Sequence, residues 1–158
     1  MLYAHSKGED QSDWQPLSEH LENVAELSAQ FAATFGYGQW GRALGLLHDA
    51  GKVCDRFQNE RLFNRPVSVD HAAFGARRAL ELYGGCGDKN DAAGTRAYAG
   101  ELMAYAILGH HGGMKSAIPD AELRIERLDS PPDHGQVADD YGPYQDMLSE
   151  SPDSIPPG

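Results

Sequence analysis

The sequence predicts an all-α protein. Three observations carry that reading: apolar residues recur at three-to-four spacing, glycines punctuate the segment ends, and no stretch alternates convincingly with period two. The first helix is expected over 16–35, with Leu17, Leu21, Val24, Ser28, Phe31 and Phe35 on one face. Pro16 suits its first turn, and Gly36 and Gly38 stop it. A second helix over 40–51 brings Leu44, Leu47 and His48 together. A shorter one covers 55–63, with Phe57 and Leu62 as its apolar residues. The fourth spans 69–83 and runs into the glycine-rich stretch 84–90. The fifth spans 92–111, where Leu102, Ala106 and Gly109 alternate with Met103, Ile107 and His110 before Gly112 and Gly113 end it. A last short helix is expected over 119–128.

Length and charge narrow the function classes. At 158 residues the chain fits one domain and can bury a core without disulfides. Its formal charge of −11, from 13 Lys+Arg and 24 Asp+Glu, excludes binding of nucleic acid by a broad basic surface. It does not exclude a nucleic-acid enzyme whose metals supply positive charge. Residues 119–158 hold 10 acids and 2 bases in a stretch rich in Pro, Ser and Asp, a composition of irregular chain. The folded domain is therefore placed at 1–127, and 128–158 is read as an acidic linker or disordered tail. The 2 cysteines are too few for a secreted disulfide scaffold. Without a signal-peptide core or an apolar run long enough to span a bilayer, the expected location is the cytoplasm, with no membrane partner.

The histidines carry the chemistry. His20 lies three residues from Leu17 and four from Val24, so it faces inward; His48-Asp49 ends the second helix, His71 opens the fourth, and His110-His111 ends the fifth. Taken singly, each is more often an ordinary core or surface residue. Taken together, several unpaired imidazoles in one core would be costly to desolvate unless something bound them. Helical bundles build metal sites from inward side chains on facing helices. Imidazoles with one carboxylate, Asp49, suit Mn, Fe, Co, Ni or Zn. Adjacent His and Asp diverge by about 100° on a helix, so the pair can serve two cations with the carboxylate between them. Lys52, one turn on, could reach a phosphate oxygen as a point charge. Arg42, Arg56, Arg61, Arg65, Arg77 and Arg78 could line an approach, with an ordinary solvated helix face an equal reading of Arg77 and Arg78.

The ordered set His20, His48-Asp49, His71, His110-His111 resembles the HD-domain metal phosphohydrolases. More narrowly, it resembles the HD nuclease domain of the CRISPR-associated nuclease-helicase of type I systems, the Cas-three family, with most likeness to the type I-C branch. The strings that carry the likeness are Tyr3-Ala4-His5-Ser6, Trp14-Gln15-Pro16-Leu17 and Gly45-Leu46-Leu47-His48-Asp49-Ala50-Gly51-Lys52. Phe57-Gln58, Asp70-His71 with Gly75-Ala76, and Gly109-His110-His111-Gly112-Gly113 complete them. The resemblance implies an HD helical bundle holding two divalent ions (Mn, Ni, Co, Fe or Mg). Their ligands would be His20, His48, Asp49, His71, His110 and His111, with Asp49 shared. It implies catalytic roles for Asp49 and Lys52, with Lys52 and His5 beside the substrate. It also implies cleavage of single-stranded DNA in antiviral defence, alongside a helicase domain or subunit and a CRISPR effector complex.

One departure stands out. The family's later helix, with a Ser and an Asp near an Asp-Ala-Asp string, has no counterpart here; Asp139, Asp140, Asp146 and Asp153 lie in other contexts. The helicase domains also have none, so a truncated fragment or a split subunit is expected, with low activity in isolation. Two other functions remain open at this point: a nucleotide phosphohydrolase, and an inactive partner-binding module.

Overall fold

Two pairs of packed helices hold the molecule, and their ends meet at one place. The computed structural model describes residues 1–8, 10–84, 92–111 and 142–147. A short antiparallel pair, β1 (Tyr3–His5) and β2 (Gln15–Pro16), leads into α1 (Leu17–Ala33), which packs along α2 (Gly38–Leu47). A 3-10 turn over Ala50–Val53 then leads to α3 (Asp55–Asn59) and a second 3-10 turn, Arg61–Phe63. Helix α4 (His71–Tyr83) packs along α5 (Ala92–Gly109), and α6 covers Gly142–Met147. No helix among the described residues is long and apolar enough to cross a membrane.

The main core joins Leu17 and Leu21 of α1, Leu46 and Leu47 of α2, Val53 of the 3-10 turn and Ile107 of α5. All six are almost fully buried, and each contributes roughly 1.5–3 kcal/mol of transfer free energy. A smaller cluster of Trp14, Phe57 and Leu62 closes the side under β1.

The structure shifts several expected faces and ends. The α1 seam is Leu17, Leu21, Ala25 and Ala32, while Phe31 and Phe35 are each 66% exposed. The reason is closeness: Gly41 and Gly45 of α2 lie on the α1 backbone at Ser28 and Ala25, where aromatic side chains have no room. In α5, Met103, Ala104, Ile107 and Leu108 turn inward and Leu102 outward. The segment expected as one helix over 55–63 divides at Glu60, and Asn64 beyond it takes the left-handed conformation (φ 57°). A short strand pair exists where none was expected; two or three residues per strand are too few to show alternation. Residues 142–147, expected in the irregular tail, form α6, and Tyr144 is buried in the main core. The expected helix over 119–128, the glycine stop at 112–113, the glycine-rich stretch beyond Gly84 and the rest of the tail lie outside the described residues.

The chain after α2 is pressed directly onto the start of α4. At Gly51 an added Cβ would fall on the backbone of His71. Gly51→Ala is therefore expected to destabilise the domain by about 1–3 kcal/mol through overpacking and to lower its melting temperature by several degrees. An unchanged melting temperature would show that α4 does not seat on this turn.

Candidate metal centre

The candidate side chains come from four places: the inner face of α1, the end of α2, the start of α4 and the end of α5. His20 lies within α1. His48 caps the C-terminus of α2, and Asp49 follows it at the start of the 3-10 turn. His71 opens α4, where the Asp70 carboxylate accepts the Ala73 amide as an N-cap. His110 and His111 follow the last residue of α5. The helix ends are fixed by packing, so the side chains they carry are fixed as well.

Asp49 is the centre of the group. Its side chain is buried, and its two oxygens face different partners. Oδ2 lies 2.8 Å from Lys52 Nζ, 2.9 Å from His20 Nε2 and 3.2 Å from His48 Nε2. Oδ1 lies 3.2 Å from His71 Nε2 and 3.4 Å from His110 Nε2, yet makes no hydrogen bond among the described residues. His111 joins through His71, with the two Nε2 atoms 2.7 Å apart. Burial alone would raise the Asp49 carboxyl; His110, His20, His48 and His71 outweigh it and hold the group well below the usual carboxylate range. Burial lowers His110, but Asp49 and the Ile107 carbonyl reverse the sign, so it lies above the ordinary imidazole value. Burial and then the charges of His110 and His71 push His111 down.

The ring orientations favour a cation. His48 Nδ1 lies 2.6 Å from the Gly45 carbonyl, His71 Nδ1 lies 3.3 Å from the Val69 carbonyl, and His110 Nδ1 bonds the Ile107 carbonyl. A carbonyl oxygen only accepts, so these Nδ1 atoms carry protons, and a ring holding that proton alone presents an Nε2 lone pair. With His71 and His110 in that form, Oδ1 is a buried oxygen facing lone pairs, without a hydrogen-bond donor among the described residues. Such an arrangement is repulsive alone and suits a divalent ion, with the carbonyls as the outer partners that orient ligating imidazoles. The ligand atoms of Asp49, His71, His110 and His111 all lie within 4.8 Å of one another, as do those of His5, His20 and Asp49.

The six expected ligands thus meet at one place. Lys52 is not a solvated lysine: it is 4% exposed, pairs with Asp49 and lies 5.5 Å from the Phe57 ring centroid. His5, on β1, stands 3.5 Å from Lys52 Nζ and packs edge-on against His20. Burial, then Lys52 and His20, lower its pKa. The residue whose role sequence reasoning missed is Gln58. Its side-chain amide donates to the carbonyls of Tyr3 and Lys52, and its Oε1 accepts the Tyr3 amide. Gln58 thereby ties the His5 strand to the Lys52 turn. No spacing signal marks it, because the bonds run to backbone up to 55 positions away. Asp146 lies exposed on α6, and Asp139, Asp140 and Asp153 are outside the described residues.

Compared with known proteins, residues 17–149 match the HD domain family, a span that covers most of the chain and includes α6. No curated protein matches.

A bound ion adds RT ln(1 + [L]/Kd) to stability, about 2.7 kcal/mol at a hundredfold excess over Kd. Mn or Ni is therefore expected to raise the melting temperature of the parent protein by several degrees and to leave Asp49→Asn unmoved. Because His111 is exposed, His111→Ala is expected to keep the metal-free stability within about 0.5 kcal/mol while reducing the metal-induced rise. Equal rises in all three proteins would place the ion elsewhere.

Proposed function

Because the chain belongs to the HD domain family, whose members are in general metal-dependent hydrolases, we propose that it hydrolyses phosphodiester bonds of single-stranded DNA. The observation that carries the reading is the buried Asp49 carboxylate, with one oxygen lacking a donor and facing a fan of imidazole nitrogens. His71, His110 and His111 would hold one divalent ion with Asp49 Oδ1. His20 and His48 would hold a second with Oδ2; Mn, Ni, Co, Fe and Mg are the candidates. When bound, such ions supply Lewis acidity at the phosphate and activate water.

The chain's own residues do the positioning. The backbone carbonyls of Gly45, Val69 and Ile107 fix three ring orientations. Lys52 keeps one positive charge against Asp49 at the floor of the cleft, where it can meet the reacting phosphate; His5 stands beside it. A polymer needs an open groove and a nucleotide a closed pocket, and the cleft beside Lys52 is open. The sequence strings quoted above support the narrower reading: the HD nuclease of the Cas-three family, type I-C branch, acting in CRISPR antiviral defence. In that setting it would work in the cytoplasm beside a helicase domain or subunit and an effector complex, which would deliver the strand. Turnover by this chain alone is expected to be low.

With Mn present, the protein is expected to nick circular single-stranded DNA in preference to duplex, and a chelator to abolish the activity. Asp49→Asn should reduce cleavage by more than the roughly 10–100-fold that loss of an outer partner costs. Hydrolysis of free nucleotides with none of DNA would replace this reading with a nucleotide phosphohydrolase. A metal-loaded protein that hydrolyses neither would be a binding module.

A further inference from the structure

From the metal centre an open cleft of about 710 Å³ runs past His5, Lys52 and His71 to the turn that carries Arg61, Asn64 and Arg65. Its volume falls in the range of roughly 300–1,000 Å³ typical of ligand sites. The sign of its charge is unlike that of the protein. Acids outnumber bases 24 to 13 in the sequence, yet the described lining of this cleft contains Lys52, Arg61 and Arg65 and no Asp or Glu.

The arginines here also differ from others on the surface. Arg42 is paired with Glu22, Arg56 with Glu60 and Arg78 with Glu81. Among the described residues Arg61 and Arg65 have no acidic partner. They are held by a bonded turn rather than a loose loop: the Phe63 and Arg65 amides both donate to the Glu60 carbonyl, and the Asn64 amide donates to that of Arg61. The left-handed Asn64 reverses the chain between the two guanidinium-bearing residues, and buried Leu62 anchors the turn in the smaller core.

We infer that Arg61 and Arg65 form a phosphate-binding subsite that grips the strand on one side of the scissile bond. The ligand class is a single-stranded polynucleotide with at least one phosphate beyond the one at the metal centre. Guanidinium groups bind phosphate oxygens bidentately, and this subsite gives a chain of net charge −11 a local means of holding a polyanion. On this inference a polymer is preferred over a nucleoside monophosphate, whose single phosphate cannot occupy both places at once. The inference rests on the nuclease reading.

The test is the salt dependence of binding. A fluorescent ten-nucleotide phosphorothioate thymidine strand, which resists cleavage, is titrated with the Mn-loaded protein at several salt concentrations. Each phosphate contact to a single strand contributes about −0.7 to the slope of log K against log salt. Arg61→Ala/Arg65→Ala should therefore bind more weakly, with a slope shallower by about 1.4. Arg78→Ala, which removes a cation outside the cleft, should keep the parent slope. The metal-induced rise in melting temperature should persist in the double variant, showing an intact fold and centre. A double variant with the parent's slope, or an equal change in Arg78→Ala, would overturn the subsite alone. A parent protein that binds no strand would overturn both the subsite and the proposed substrate class.

Discussion

Everything in this structure is arranged around one buried carboxylate. Removing Asp49 from water costs several kcal/mol unless charge and donors replace the solvent. On the Oδ2 side they do, through the Lys52 ammonium and His20 Nε2. Oδ1 is buried without a hydrogen bond among the described residues, so that oxygen in particular calls for a cation. A carboxylate placed in this way, paired with Lys52 and fanned by imidazoles on both oxygens, accounts for the residue types around it.

The helix packing exists to bring those groups within reach. Close contact of α1 with α2 through Gly41 and Gly45 sets His20 beside His48. Contact of Gly51 with the His71 backbone sets the start of α4 against Asp49, and the α4–α5 pairing brings His110 and His111 to the same point. Gln58 then fixes the N-terminal strand to the Lys52 turn. Small residues at the α1–α2 seam follow from this demand for short distances, which is why Phe31 is found in solvent.

This demand also separates what was legible in the sequence from what was not. The helical class and the helix-end positions of His48, Asp49, His71 and His110 follow from spacing, because a helix end fixes where its side chains point. Which face of α1 is buried did not follow. Hydrophobicity favours Phe31 over Ala32, and only the neighbouring helix, through glycines at 41 and 45, reverses that preference. The bridging role of Gln58 and the β1–β2 pair escaped notice because their bonds are to distant backbone, which leaves no periodic trace. The acidic, Pro-rich composition of 128–158 hid α6, a six-residue helix held by the burial of Tyr144 rather than by helix propensity.

Electrostatics connects the site to its setting. The protein as a whole repels polyanions, while the centre and the cleft beside it concentrate imidazoles, one buried ammonium and two arginines. Attraction is therefore local and depends on the ion, which is why the position of that ion decides so much. The most direct measurement is anomalous X-ray diffraction from crystals of the Mn-loaded protein. The expected result is a peak within about 2.3 Å of Asp49 Oδ1 and of Nε2 of His71, His110 and His111, since imidazole and carboxylate ligands sit about 2.0–2.2 Å from such ions. A peak only among the acidic residues of 119–158, or none near Asp49, would contradict a metal centre built on that carboxylate.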